Sequence, residues 1–196
     1  MRKLQIIRSA RQKKAQGKEQ RSMEVMEAVF TRRSIRKYKD KPVEKEKTER
    51  LLRAAMQAPS AANQQPWEFI VLQEKASLEK LSRMSPYSGL TANAPLALVL
   101  LANEEKMKFP ENWQQDMAAA AENILLEAVD LGLGAVWLGA APLEDRMNYI
   151  RKMFGLKERI KPFCVIALGY PEEQENKLID RYNPSVVYYE KYRGQA

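Results

Sequence analysis

Residues 113–131 carry more apolar surface than a helix resting on a single neighbour can use. Met117, Ala120, Ala121, Ile124, Leu125, Ala128 and Leu131 share one face at helical spacing, and Ala118, Leu126 and Val129 extend it well round the cylinder. A helix of that kind is buried on two sides, against a sheet and against something else. A chain of 196 residues has room for one domain with a substantial core. The second surface is then most simply a sister copy, so the pattern predicts a homodimer. Gly132 and Gly134 mark the end of the helix.

Around this helix the chain alternates between helical and strand-like segments. A short helix is predicted over about 23–31. A second, over about 44–57, follows Pro42 and presents Leu51, Leu52, Ala54, Ala55 and Ala58; Pro59 stops it by lacking an amide hydrogen. Trp67–Leu72 reads as a strand, 75–84 as a helix and Leu96–Leu101 as a buried strand. Ala135–Leu138 and Phe163–Leu168 are further strands on either side of a helix at 142–153. Helices interleaved with about four buried strands predict an α/β (α+β) sandwich. From Glu172 the chain turns polar and then alternates through Val186-Val187-Tyr188-Tyr189, the pattern of an arm laid across another surface. No apolar run reaches the ~20 residues of a membrane-spanning helix, and no signal peptide is evident.

The chain has no histidine. That excludes Ser-His-Asp and Cys-His nucleophile systems and the HExxH zinc site, and directs any chemistry toward a bound cofactor. The single cysteine, Cys164, lies in an apolar stretch without an intrachain partner. There is then no disulfide framework and no cysteine-based metal site, which fits a reducing, cytoplasmic setting. The net charge of +8 is concentrated: residues 1–22 hold eight Lys/Arg against Glu19 and carry +7, leaving the rest at +1. The basicity belongs to an extension over 1–22, ahead of a domain over 23–196, and not to a nucleic-acid-binding face. The extension reads as a solvated arm, an upstream start ahead of Met23 or an appended segment.

Four segments could carry chemistry. In Thr31-Arg32-Arg33-Ser34-Ile35-Arg36, three guanidinium groups and a hydroxyl at a helix end suit a phosphate dianion, although a solvated basic surface has the same composition. Pro59-Ser60-Ala61-Ala62-Asn63-Gln64-Gln65-Pro66-Trp67 joins helix to strand with small residues and amides that match a heteroaromatic edge, or is an ordinary loop between prolines. Gly132-Leu133-Gly134-Ala135-Val136-Trp137-Leu138-Gly139 is no dinucleotide fingerprint, because it leaves a helix for a strand and Trp137 stands at the third glycine. A strand ending in glycine can still offer amides to a planar ligand. Arg181, at the root of the C-terminal arm, is a lone arginine that could equally pair with Asp180.

In this order the four segments resemble the nitroreductase family over about residues 23–193, with Ala167-Leu168-Gly169-Tyr170-Pro171 adding to the likeness. The resemblance implies a three-layer sandwich around a central mixed sheet, with a C-terminal arm exchanged in a homodimer. It implies FMN held by Arg32, Ser34 and Arg36 at its phosphate and ribityl chain, with Arg33 adjacent and Arg181 as a further phosphate contact. Pro59, Ser60, Ala61, Asn63 and Gln65 would line the flavin from the other subunit, and Leu138 and Gly139 would present amides to its N5/O4 edge. The implied activity is ping-pong reduction of nitroaromatics, quinones or similar small acceptors by NADH or NADPH, without a catalytic side chain. A specialised flavin enzyme (dehalogenase-like or flavin-consuming), or a flavin-binding protein without turnover, are the alternatives. Ser85-Pro86-Tyr87-Ser88-Gly89 departs from the pattern, lacking the Asn or Lys that many members place before the second core strand.

Overall fold

The computed structural model describes residues 23–172 and 180–192; the basic extension over 1–22 lies outside the described residues. In chain order the elements are α1 (Val25–Thr31), α2 (Lys45–Met56), β1 (Trp67–Leu72), α3 (Lys75–Leu81), β2 (Leu96–Asn103), α4 (Trp113–Asp130), β3 (Gly134–Gly139), α5 (Glu144–Phe154) and β4 (Ile160–Gly169). The strands form one sheet in the order β1-β2-β4-β3. All three ladders are antiparallel, and the parallel component is an isolated bridge from Ser34 to Ala135.

Alternation along β2 builds the three layers. Leu96, Leu98 and Leu100 point to one face, where they meet Leu51 and Ala55 of α2 and Met117, Ala121 and Ile124 of α4. Ala97, Val99 and Leu101 point to the other, against Leu78 and Leu81 of α3 and Met147 and Ile150 of α5. Because both faces are covered, β2 is buried at every residue, which is why its sequence reads as a continuous apolar run. Trp67 packs into the first of these cores.

β4 is longer than predicted, and one irregularity explains it. Its register against β2 shifts between Leu100 and Leu101, so that Leu101 faces Pro162 while Leu100 faces Cys164. Phe163 is the extra residue of this bulge. A proline is tolerated there because the ladder is already interrupted. The bulge also places consecutive residues, Phe163 and Cys164, in the same core. Cys164 is fully buried, and loss of hydration holds its thiol well above the usual range.

The front segment crosses the far end of the sheet by close backbone approach. Ser34 bridges to Ala135 and Tyr38 to Pro171, and the Ile35 amide donates to Ala135 O at 2.9 Å. A Cβ on Gly134 would come within 2.6 Å of Ile35 Cβ; one on Gly169 would lie 2.6 Å from Pro95 Cδ and 3.0 Å from Tyr38 Cβ. The paired glycines are therefore steric requirements of this crossing. Buried Tyr38 places its hydroxyl 2.6 Å from Ile35 O and 3.0 Å from Ala167 O.

Beyond β4, the 184–186 turn leads into exposed Val186, Tyr189 and Tyr192. No strand forms among the described residues of this arm. Gly134→Ala is expected to lower stability by about 1–3 kcal/mol through overpacking against Ile35, read as a fall in the urea midpoint at unchanged m-value. Trp67→Ala is expected to cost about 3–5 kcal/mol by opening a cavity in the first core, measured in the same way.

Candidate functional site

Two cavities lie along one flank of α4, the first also bounded by Trp137 of β3, and together they outline a trough. Gln114, Gln115, Ala118 and Glu122 lie on one side of α4 at helical spacing. The first three line a cavity of about 610 Å³ together with Glu111, Trp137, Ala141 and Phe163. Glu122 lines a second cavity, of about 370 Å³, together with Arg32, Arg33, Asp180 and Arg181. From Gln115 to Glu122 the helix advances about 10 Å at ~1.5 Å per residue. The trough therefore suits an elongated ligand with a flat end and a charged end.

The flat end has aromatic walls. Trp137 and Phe163 meet edge to face with centroids 5.3 Å apart, and Trp113 meets Phe163 at 5.9 Å. The β4 bulge gives Phe163 this orientation, and Ala118 leaves space opposite. A Cβ placed on Gly139 would meet nothing within 4 Å.

β3 is an edge strand, and its parity decides which backbone groups face outward. Ala135 O is bonded to the Ile35 amide, so the peptide groups of Ala135, Trp137 and Gly139 point away from β4. The Leu138 amide, expected at the flavin edge, is directed at β4 instead, and its side chain is buried in the second core. Gly139 keeps an outward amide, while its carbonyl accepts from Arg146 Nη1 at 2.9 Å.

At the charged end the structure brings Arg32, Arg33 and Arg181 to one cavity from segments about 150 residues apart in sequence. Arg32 Nε lies 3.6 Å from Glu122 Oε1, and Arg33 Nη1 donates to Arg32 O at 2.6 Å. Ser34 sits beside them on the β3 edge. Arg36 is not in this group. Its Nη1 lies 3.4 Å from Ser34 O, and it lines a neighbouring cavity with Tyr38, Gln73 and Asn93.

The loop over 59–65 is also separate within one chain. It is fastened to the side of α4 opposite Gln114, Gln115 and Ala118, through Asp116. Asp116, only 4% exposed, accepts from the Ala61 amide at 2.9 Å and from Gln64 Nε2 at 2.5 Å. Gln64 Oε1 in turn accepts from the amides of Lys108 and Phe109. Next to Pro59, Ser60 Oγ accepts from the Gln65 amide, and Asn63 Oδ1 from Gln65 Nε2. Ala62, Asn63 and Gln65 all have left-handed backbones, with φ of 43°, 55° and 49°. Such conformations persist in non-glycine residues only where surrounding contacts enforce them, and they concentrate at functional sites. Asp116, Gln64, Glu122, Trp137 and Phe163 were not among the expected site residues. Asp116 carried a signal, as a carboxylate in the first turn of the helix, next to its apolar face.

The sequence and the fold resemble those of known proteins. The sequence matches the Nitroreductase family over residues 29–86 and 83–170. The chain belongs to that family. It is 45% identical over 170 residues to a Methanothermobacter thermautotrophicus protein named "Putative NADH dehydrogenase/NAD(P)H nitroreductase", covering 87% of this chain and 88% of the relative. Among solved structures, it is similar to a "Putative NADH Oxidase" from Clostridium acetobutylicum, with 64% identity and a TM-score of 0.83 over 84% of this chain and 99% of the other. It is also similar to an FMN-dependent nitroreductase from Clostridium difficile R20291, with 34% identity and a TM-score of 0.77 over 84% and 99% of the two chains. The nitroreductase fold thus accounts for the three layers, and the chain carries an oxidoreductase framework. Among the described residues, no helix is long and apolar enough to cross a membrane, and no group of His, Cys, Asp or Glu could hold a metal ion.

Asp116→Ala is expected to leave the Ala61 amide and the Gln64 amide group without their acceptor, at a cost of about 1–3 kcal/mol. Faster hydrogen exchange at the Ala61 amide, with exchange in β2 keeping its rank as the slowest, would register the freed loop.

Proposed function

We propose that this nitroreductase-family chain binds FMN in the trough between α4 and β3 and uses it, as a homodimer, to reduce small acceptors with NADH or NADPH. The observation that carries this reading is a pair of cavities along one flank of α4, three arginines lining one and aromatic rings near the open Gly139 edge lining the other. The chemistry of that donor set fits the cofactor. Guanidinium forks match phosphate oxygens, and the space in front of Gly139 accepts a planar ring. The FMN-dependent Clostridium difficile relative supports the same assignment.

Arg32, Arg33 and Arg181 would hold the phosphate, with Ser34 beside them. Glu122, which faces Arg32 at 3.6 Å, would give up that contact to a phosphate. Trp137 and Phe163 would exclude water from one side of the ring, and the outward Gly139 amide would be available to its edge. When bound, FMN supplies two-electron transfer between the nicotinamide donor and an acceptor such as a nitroaromatic or quinone, in a ping-pong cycle. The protein's contribution is orientation and electrostatics, and hydride transfer through the flavin needs no side chain as acid or base.

Two features favour a second copy. The 59–65 loop, built for close approach, lies across α4 from its own trough and would reach that of a partner. Val25 (73% exposed), Met26 (59%) and Met56 leave apolar surface on α1 and α2, beside a cavity lined by Ala28, Ala54 and Leu126. A partner covers such surface, and the exposed Val186, Tyr189 and Tyr192 of the arm would lie on it.

An absorbance spectrum of the purified protein, followed by anaerobic titration with each nicotinamide, tests the reading directly. A yellow protein that oxidises NAD(P)H in the presence of menadione supports it. A yellow protein without turnover reduces it to flavin binding, and a colourless protein that FMN does not stabilise refutes it. Arg32→Ala combined with Arg181→Ala should abolish FMN retention and the rise in Tm on adding FMN, whereas Arg36→Ala should have the smaller effect. FMN affinity unchanged in the double variant would overturn the phosphate assignment.

A further inference from the structure

The outward edge of β3 is engaged at both ends by different means. Ala135 O is bonded to backbone, but Gly139 O is bonded to a guanidinium, that of Arg146. Arg146 stands in the first turn of α5, where the helix field favours acids; Glu144 and Asp145 beside it obey that preference. A cation here is therefore not explained by the helix. The Arg146 guanidinium turns back to the end of β3 and lies 6.0 Å from the centroid of the Tyr87 ring. Among the described residues it forms no ion pair, and it is half-buried. An uncompensated positive charge is thus fixed at the edge where the ring of the proposed ligand would lie.

We infer that Arg146 is a positioning residue that sets the redox poise of the bound flavin, by holding a positive charge at the Gly139 end of β3. The inference rests on the FMN reading above. Reduction adds negative charge to the ring, and a cation at its edge stabilises the reduced form more than the neutral oxidised one. Exclusion of water strengthens that preference. The planar guanidinium can bond Gly139 O with one nitrogen and still direct other donors outward. Tyr87 limits its swing through a cation–π contact. Tyr87 belongs to 85–89, the stretch without an Asn or Lys of its own, so the charge on this side of the site comes from α5.

The test compares the holoenzyme with Arg146→Met and Arg146→Lys, measuring the flavin midpoint potential by anaerobic dye equilibration and the Kd of each apoprotein for oxidised FMN. Arg146→Met should weaken binding of reduced FMN relative to oxidised FMN roughly tenfold. For a two-electron couple this corresponds to a fall of about 30 mV. Its affinity for oxidised FMN should change little, and Arg146→Lys should keep most of the wild-type potential. Tyr87→Leu should lower the potential by less than Arg146→Met does. A wild-type potential in the Met variant overturns the inference, as does equal loss of affinity for both forms of FMN, the mark of a purely structural prop. If Arg146→Met does not fold, Arg146→Gln carries the same comparison. A wild-type protein that binds no FMN refutes the FMN reading itself, whereas normal FMN binding with an unshifted variant potential refutes only the role of Arg146.

Discussion

Two glycines facing each other across the last rung of the sheet allow the front of the chain to touch its far end. Gly134 and Gly169 are cross-strand partners, and neither has room for a methyl group beneath the crossing segment. Because Ile35 rests directly on Gly134, the backbone at 34–35 joins the edge of β3, and Arg32 and Arg33 are carried to the mouth of the cavity that also receives Arg181. Arginines alone could sit anywhere on a surface. It is the steric gap in the sheet that gives these a fixed place relative to the ring end of the trough.

The second organising element is α4. Its core face is spent on the sheet, one flank lines the trough and the opposite flank holds the 59–65 loop through Asp116. A buried carboxylate that meets two donors from a strained loop is a rigid clamp, since releasing either donor would leave the charge under-solvated. The same helix therefore lines the trough on one flank and fixes the 59–65 loop on the other.

Much of this was legible in the sequence, because burial on two faces leaves a plain trace. β1 was predicted over Trp67–Leu72 and has those bounds, and α4 was predicted over 113–131 against an observed Trp113–Asp130. The ends of β4 were less legible. Pro162 reads as a strand breaker, and only the bulge at Phe163 lets the ladder continue past it. The Asp116–Gln64 clamp was also hidden, since its partners are brought together by the tertiary fold and belong to no periodic pattern. Leu138 shows a different gap. Composition identifies a strand, but which of its amides is free depends on the register with β4, and one residue of parity moves the outward donor from Leu138 to Gly139. Arg36 belongs to the same class, close in sequence to Arg32 and Arg33 yet turned to a neighbouring cavity.

An exposed rim of sheet normally invites foreign strands to zip onto it, which is how soluble β-proteins begin to polymerise. Here the rim of β3 is stoppered at both ends, by a short run of main chain beside Ala135 and by a side-chain fork at Gly139. The Trp137 backbone groups and the Gly139 amide are left between them, a short stretch for another polypeptide to gain a foothold. This edge of the sheet is thus guarded against its own kind while still open to a flat guest, which needs no ladder in order to bind.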